Sequence, residues 1–195
     1  MRKLNTPIDL DGRTLPLQKT GTSCFRLRHE SHKSAFFWSK LGIYRFDSCR
    51  APYGILYTAD TLEGAALEVF GDQWIGRRIM SRESLRRYRL SVLIPSDPVL
   101  LVDTTGENLN KLSVDSSLFA SLDYRVTRRW AKAFMTHPAN AQGIIYHSRK
   151  NPELLNYAYF GTDQMIDNLV EQDEMALEDA PGLALFLDSY EIRIV

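Results

Sequence analysis

The chain has 195 residues, a length that favours one domain with a substantial core over two domains. Hydrophobic residues make up 44% and charged residues 25%, as in ordinary globular proteins, and no apolar stretch approaches the roughly 20 residues of a membrane span. Lys plus Arg and Asp plus Glu number 24 each, so net charge does not attract the molecule to nucleic acid.

The beginning of the chain and its cysteines indicate the compartment. The opening MRKLNTPIDLDGRTLPL has no apolar core of the kind that a secretory signal requires. Cys24 and Cys49 are too few for the disulfide framework of a small secreted domain. We therefore expect a cytoplasmic protein without a membrane partner. Prolines and polar residues break any period in residues 1–20, which predicts a loosely packed N-terminal arm before a domain of residues 21–195.

Two strands are predicted in the first third of the chain. SCFRLRH, residues 23–29, alternates apolar and basic side chains, which places Arg26 and Arg28 on one face of a strand. GILYTA, residues 54–59, is typical of a second strand. An arginine-containing loop, IYRFDS at residues 43–48, lies between them.

A helix is predicted directly after the second strand, in DTLEGAALEVFGD at residues 60–72. Asp60 or Thr61 can cap it, Glu63 stands at capping-box spacing from Asp60, and Gly71 can end it. Its apolar stripe consists of Leu62, Ala65, Ala66, Val69 and Phe70.

Glu68 lies beside this apolar stripe, on the side of Ala65. Because the stripe faces the core, Glu68 falls at the border of the buried face. A carboxylate at such a border can line a cleft, although an ordinary solvated helix residue is the better explanation of the position without other evidence.

The remaining segments mix strands and helices without regular alternation, which favours an α+β fold with a partly antiparallel sheet over a doubly wound one. The pattern predicts strands at 86–95, 98–103, 142–148, 156–161 and 189–195, helices within 107–136 and most clearly at 124–135, and a mixed segment at 163–180.

Charge is unevenly distributed along the chain. Residues 77–89 carry six arginines and one acidic residue, Glu83, whereas residues 163–179 carry seven acidic residues and neither Lys nor Arg. Two solvated faces, a surface that docks a partner, and a nucleic-acid groove remain open as interpretations, in that order.

Common catalytic and metal-binding motifs are missing from the sequence. There is no glycine-rich nucleotide loop and no G-x-S-x-G elbow. His29, Glu30 and His32 lie in a strand or loop that defines no ligand geometry, so we expect no metal. His147 and Ser148 are neighbours on a strand and point to opposite faces, which argues against a nucleophile–base pair.

Three stretches in order resemble the RES family, named for an Arg, a Glu and a Ser that lie far apart in sequence. Arg26 in CFRL, Glu68 in AALEVF and Ser148 in GIIYHSRKN occupy these slots, over about residues 23–160. The loop and the second strand add Arg45 and Tyr57. The family loop usually reads Gly-Arg-Trp-Asn, whereas this chain has Tyr-Arg-Phe-Asp at residues 44–47.

The resemblance implies a split sheet like that of ADP-ribosyltransferases, with NAD bound as a substrate between its halves. Members of the family include toxins that deplete NAD by hydrolysis or phosphorolysis and are silenced by an antitoxin with a helix-turn-helix domain. Transfer of ADP-ribose to a protein is the alternative reaction, and a non-catalytic nucleic-acid-binding module is the alternative class. Because the arginines of 77–89 follow the Glu68 helix, we expect them near the cleft mouth, where an acidic partner segment would exclude NAD.

The same resemblance assigns roles that fit the chemistry. Cleavage of the nicotinamide–ribose bond passes through an oxocarbenium-like transition state, which the Glu68 carboxylate would stabilise. Arg26, helped by Arg45, suits the pyrophosphate or ribose. Tyr57 would stack on nicotinamide and donate its hydroxyl, and Ser148 would orient nicotinamide or ribose. The predicted catalytic residues are Arg26, Glu68 and Ser148, and the predicted substrate-binding residues are Arg26, Arg45, Tyr57 and Ser148.

Overall fold

The fold is an α+β arrangement built on one large β-sheet. The structure is a computed structural model that describes residues 9–47 and 53–195. The strands are β1 Leu17–Thr20, β2 Cys24–His29, β3 Ile55–Ala59, β4 Ile79–Met80, β5 Tyr88–Pro95, β6 Val99–Asp103, β7 Gly143–His147, β8 Leu155–Phe160, β9 Leu169–Ala176 and β10 Arg193–Ile194. The helices are α1 Leu62–Arg77, α2 Arg82–Arg87, α3 Asn108–Lys111, α4 Ser117–Ala120, α5 Tyr124–Thr136, α6 Asp163–Asn168 and α7 Leu183–Ser189.

The large sheet has eight strands in the order β1-β6-β7-β8-β3-β2-β5-β9. Its neighbouring strands are antiparallel except for β6 and β7, which run parallel and are joined through α3, α4 and α5. A separate two-stranded sheet pairs β4 with β10 in parallel. The predicted α+β class with a partly antiparallel sheet is therefore confirmed.

The sheet is split between its two central strands. β2 pairs with β3 at Phe25 and Ala59, whereas it runs along β5 over its whole length. β3 likewise pairs with β8 over its whole length. The two halves of the sheet thus separate beyond the Phe25–Ala59 pair, and this separation opens the space for a cleft.

Two hydrophobic clusters cover the same face of the sheet on either side of the split. In one, Trp130 and Phe134 of α5 pack with Ile55 of β3. In the other, Phe70 of α1 packs with Leu27 of β2. The opposite face has a third cluster, formed by Cys24, Ala35, Leu56, Leu93, Val99, Leu101, Ile145, Tyr157, Tyr159, Met165 and Leu169. The two flanking clusters therefore lie on either side of the cleft.

The predicted helix at 60–72 is longer and is capped differently. The Thr61 side chain accepts a hydrogen bond from the Gly64 backbone N–H at 3.0 Å, whereas Glu63 accepts from the Tyr190 hydroxyl at 2.5 Å rather than completing a capping box. α1 continues past Gly71 to Arg77. A Cβ at Gly71 would lie 3.2 Å from Lys150 side-chain carbons, so this glycine allows close packing instead of ending the helix.

The predictions for both ends of the domain are also corrected. The expected closing strand at 189–195 is reduced to β10, because α7 extends to Ser189. Residues 9–20 are not a loose arm, since β1 pairs with β6 and both Leu10 and Leu15 are buried in the core. The part of the predicted arm at residues 1–8 lies outside the described residues.

Two further observations concern the cysteines and the membrane. Cys24 is a buried free thiol, while Cys49 lies outside the described residues. Within residues 9–47 and 53–195, no helix combines the length and apolar character needed to cross a membrane.

The burial of Leu15 provides a test of the corrected N-terminal boundary. Leu15 is 4% exposed and Leu17 is 37% exposed. Leu15→Ala should lower the free energy of unfolding by about 2–4 kcal/mol, because it removes buried methyl groups and leaves a cavity. Leu17→Ala, the matched control, should change it by about 0.5 kcal/mol or less. Urea unfolding measures both values, and an equally small effect at the two positions would contradict the burial of Leu15 in the core.

Candidate active site

A cleft of about 570 Å³ opens at the split in the sheet. This volume lies within the range of small-molecule sites. Its walls come mainly from β2, β3, α1 and the segment between β2 and β3, with single tyrosines from β5, α5 and β7. The charged residues in its lining are Arg26, Arg28, Arg45, Glu68 and Arg149, together with His29 and His32. Guanidinium groups therefore outnumber carboxylates in the cleft, which suits an anionic ligand.

Glu68 lines this cleft and is held by two neighbouring side chains. Its Oε1 accepts hydrogen bonds from Ser148 Oγ at 2.9 Å and from Asn156 Nδ2 at 2.8 Å. Both donors are buried, whereas Glu68 itself is exposed. The two donors restrict the carboxylate to one orientation at the cleft wall.

Ser148 supports Glu68 and is absent from the cleft lining. Its backbone N–H donates to Leu154 O at 2.9 Å, and its Oγ also accepts from the Lys150 N–H at 3.1 Å. The sequence predicted a hydroxyl that contacts the ligand directly. The structure instead brings Ser148 to the predicted Glu68 and places it behind that carboxylate.

Arg26 spans the split between β2 and β3. Its Nη1 donates to Tyr57 O at 2.7 Å, while its buried Nε has no hydrogen-bond partner. Burial lowers the pKa of Arg26 to about 10, and no carboxylate among the described residues forms an ion pair with it. Both terminal nitrogens of the guanidinium are thus used by backbone carbonyls, since Nη2 also donates to Phe37 O at 3.5 Å, while Nε remains unpaired.

Arg45 provides a second buried guanidinium group in the cleft. The residue is 7% exposed, and its Cζ lies 5.2 Å from the centre of the Tyr146 ring. Its Nη1 is buried without a hydrogen-bond partner. Thr127 Oγ1 donates to Arg45 O at 2.6 Å and so holds the loop against α5.

Tyr146 lies between the charges of Glu68 and Arg45. Burial, reinforced by the negative charge of Glu68, raises the pKa of the Tyr146 hydroxyl far above its usual value, with Arg45 acting in the opposite direction. The phenol therefore remains protonated at neutral pH. Sequence patterns identified its strand but could not identify this position within the site.

The ring of Tyr57 lines the cleft, whereas its hydroxyl forms hydrogen bonds with the loop at residues 44–47. It donates to Asp47 Oδ1 at 2.9 Å and accepts from the Phe46 N–H at 2.9 Å. Burial and the nearby Asp47 raise the pKa of the Tyr57 hydroxyl well above its usual value. The predicted donation from this hydroxyl to a ligand is therefore corrected, because the hydroxyl already donates its hydrogen bond to Asp47.

Asp47 organises the loop at residues 44–47. Its side chain is fully buried and accepts hydrogen bonds from Ser39 Oγ at 2.6 Å and from the Tyr44 N–H at 3.2 Å, in addition to Tyr57. Buried carboxylates require such donors. The ring of Tyr44 meets that of Tyr57 edge to face, with centroids 5.8 Å apart. Asp47, one of three positions at which this loop departs from the usual family pattern, thus positions the aromatic wall.

Asn156 is the functional candidate that sequence reasoning missed. It is fully buried on β8, donates to Glu68, and lies close enough to Tyr146 to lower the pKa of that phenol. A polar residue inside the otherwise apolar run NYAYF was the available signal.

The arginines of residues 77–89 are not part of the cleft lining, to which this segment contributes Tyr88. Arg86 instead pairs with Glu178 at 3.2 Å, which joins the basic and acidic segments. Exposed pairs of this kind contribute little to stability. The segment thus reaches the cleft through Tyr88, whereas its arginines lie outside the lining. In the part of the chain that the structure describes, no group of three His, Cys, Asp or Glu residues could hold a metal.

The fold and cleft define a class: an α+β domain with a split sheet and an arginine-lined cleft that holds one carboxylate. The RES domain matches residues 23–179, so the chain belongs to the RES domain family. The resemblance identified from Arg26, Glu68 and Ser148 is therefore confirmed at the level of the family.

Two similar proteins place the chain among its relatives. The probable toxin y4kH of Sinorhizobium fredii (strain NBRC 101917 / NGR234) is 27% identical over 101 residues, which cover 51% of this chain and 77% of that protein. The crystal structure of the M. tuberculosis MbcT–MbcA toxin–antitoxin complex contains a chain that matches with a TM-score of 0.60 at 17% identity, over 90% of this chain and 92% of that one. At this identity, the second match shows a shared fold.

The bridge from Tyr57 to Asp47 provides a test of the loop. Tyr57→Phe should lower the free energy of unfolding by about 1–3 kcal/mol, because Asp47 and the Phe46 N–H each lose a buried partner. Tyr44→Phe removes a hydroxyl from a neighbouring exposed ring and should have an effect of about 0.5 kcal/mol or less. Thermal or urea unfolding distinguishes them, and equal effects would exclude the bridge as a structural link.

Proposed function

We propose that this protein cleaves the nicotinamide–ribose bond of NAD and passes ADP-ribose to water or phosphate, as the toxin of a cytoplasmic toxin–antitoxin pair. One observation carries the proposal: the Glu68 carboxylate, oriented by Ser148 and Asn156, shares a cleft with two guanidinium groups that have unpaired buried N–H donors. The family resemblance supports the choice of NAD.

The unpaired donors suit the pyrophosphate of a dinucleotide. Arg26 Nε and Arg45 Nη1 are buried without hydrogen-bond partners, which is costly for charged groups. An anionic oxygen that accepts from both groups offsets this cost through charge-assisted hydrogen bonds. We therefore assign substrate binding to Arg26 and Arg45, with Arg149 lining the same cleft.

The aromatic wall suits the leaving group. The Tyr57 ring lies in the cleft lining beside Tyr44, and the hydrogen bonds to Asp47 and Phe46 hold it in place. A flat ring held by its own hydroxyl is preorganised to stack on nicotinamide. We therefore assign nicotinamide binding at Tyr57 to its aromatic ring and not to its hydroxyl.

Glu68 would act when the glycosidic bond breaks. The bonding electron pair leaves with nicotinamide, which becomes neutral, while positive charge develops on the ribose. A fixed carboxylate stabilises that charge because it needs no reorganisation during the step. An oxygen of water or phosphate then forms the new bond to the ribose carbon, and water gives up its proton. In this scheme Glu68 is the catalytic residue, and Ser148 and Asn156 are positioning residues.

Relatives support the assignment as a toxin. The similar protein y4kH is described as a probable toxin, and the structure with the same fold is a toxin–antitoxin complex. We infer that an antitoxin protein restrains this chain as well. The helix-turn-helix domain expected in that antitoxin rests on the family resemblance.

The catalytic assignment is tested by Glu68→Gln, which keeps the shape and removes the charge. The expected loss in kcat for NAD consumption is about 10²–10³-fold. Glu63→Gln on the same helix is the matched control, because Glu63 bonds to Tyr190 and lies outside the cleft lining. Purified proteins are incubated with NAD, and NMR identifies the products with and without phosphate. Equal rates for Glu68→Gln and the parent would exclude this role, while ADP-ribose found only on protein would identify a protein ADP-ribosyltransferase.

The biological role is tested by controlled expression in bacteria. Expression of the parent chain should arrest growth and lower cellular NAD, since the proposed reaction consumes a central metabolite. Expression of Glu68→Gln to the same level should do neither. Normal growth with unchanged NAD during strong expression of soluble parent protein would refute the toxin assignment, whatever the activity of the purified enzyme.

A further inference from the structure

A second concave surface lies where α1 ends and β4 begins. Its volume is about 540 Å³, and it is lined by Arg77, Arg78, Ile79, Glu191 and Arg193. We call these five residues the basic corner. They come from two distant parts of the sequence, which are joined by the parallel pairing of β4 with β10. The corner therefore exists only in the folded chain.

The backbone of the basic corner is held in an unusual conformation. Arg78 has a φ of 45° and Glu191 a φ of 52°, so both lie in the left-handed region that residues other than glycine rarely adopt. Their side chains form an ion pair with each other. Left-handed backbone at non-glycine residues costs free energy and is often found at functional surfaces. Its occurrence on both sides of one concavity distinguishes this corner from an ordinary charged surface.

The charge of the basic corner is incompletely balanced. Three guanidinium groups face a single carboxylate. Among the described residues, neither Arg77 nor Arg193 forms an ion pair, in contrast to Arg86 and Arg87, which pair with Glu178 and Glu83. The Arg78–Glu191 pair is itself exposed and is therefore easily exchanged for another carboxylate. The corner consequently presents unused guanidinium forks to solvent.

We propose that the basic corner binds an acidic, extended segment of a partner protein. Guanidinium forks accept carboxylates with two hydrogen bonds, and Ile79, which is 48% exposed, offers an apolar contact between them. A segment that alternates acidic and apolar side chains satisfies both features. This proposal does not depend on the reaction proposed for the cleft.

Nucleic acid and a second copy of the chain fit less well. The corner has no aromatic residue on which bases could stack, and Glu191 would repel phosphates. A second copy could offer its own acidic segment at residues 163–179, but Glu174 and Glu178 of that segment are already paired with Arg28 and Arg86 of the same chain. An acidic segment of another protein remains the best match.

Binding at the basic corner should leave the cleft open. Arg77 follows Glu68 by nine positions in α1, a separation of roughly 14 Å along the helix axis. The linings of the two concavities also share no residue. The partner would thus contact the protein without excluding the ligand of the cleft, whereas the sequence suggested a partner segment that excludes NAD.

The test uses a short fluorescein-labelled peptide that alternates Glu with Leu, and fluorescence anisotropy as the readout. The double variant Arg77→Gln/Arg193→Gln should weaken binding by about tenfold, since it removes two charged contacts. The double variant Arg86→Gln/Arg87→Gln makes the same charge change within ion pairs and should bind like the parent. The Glu68→Gln variant should also bind like the parent, which tests the separation from the cleft.

Other results would overturn the proposal. No binding to the folded parent at millimolar peptide would refute the proposal, and equal weakening by both double variants would reduce the binding to nonspecific attraction. Tighter binding of a labelled oligothymidine than of the peptide, with a steep dependence on salt, would identify a nucleic-acid surface. Concentration-dependent dimers or polymers of the parent that disappear in Arg77→Gln/Arg193→Gln would identify a second copy as the occupant.

Discussion

The contact of Arg26 with the Tyr57 carbonyl is the interaction on which the cleft depends. β2 and β3 meet at Phe25 and Ala59 and then separate, which would leave backbone groups of both strands unpaired. The Arg26 guanidinium spans the gap and donates to Tyr57 O at 2.7 Å. A charged donor compensates well for a lost backbone partner. The sheet can therefore open at its centre while the carbonyl of β3 remains satisfied.

Two carboxylates near the cleft have different tasks because their surroundings differ. Asp47 is fully buried, and its oxygens are occupied by Ser39, Tyr44 and Tyr57, so it fixes the loop and the aromatic wall. Glu68 is held through Oε1 and is exposed on the cleft side. The first carboxylate has little capacity left for a ligand. The second combines a fixed orientation with access to one.

The equal numbers of acidic and basic residues conceal a strongly uneven distribution of charge over the surface. Part of the arginine-rich segment is neutralised by acidic residues that the sheet brings beside it, as in the pair between Arg86 and Glu178. The cleft and the basic corner retain unpaired guanidinium groups, with Arg45 in the first and Arg193 in the second. Net charge therefore describes neither site, and the local imbalance determines what each can bind.

The sequence by itself determined the α+β class, the main strands and helices, and the family, because hydrophobic periodicity and ordered motifs are local properties of the chain. It also placed Glu68 at the border of a buried face. Tertiary contacts alone decided that Gly71 packs against Lys150 within a longer helix. They also decided that the Tyr57 hydroxyl donates to Asp47 and that Ser148 donates to Glu68 from outside the cleft lining. The physical reason is that a periodic pattern records which side of an element is apolar, whereas hydrogen-bond partners are set by distances between residues that lie far apart along the chain.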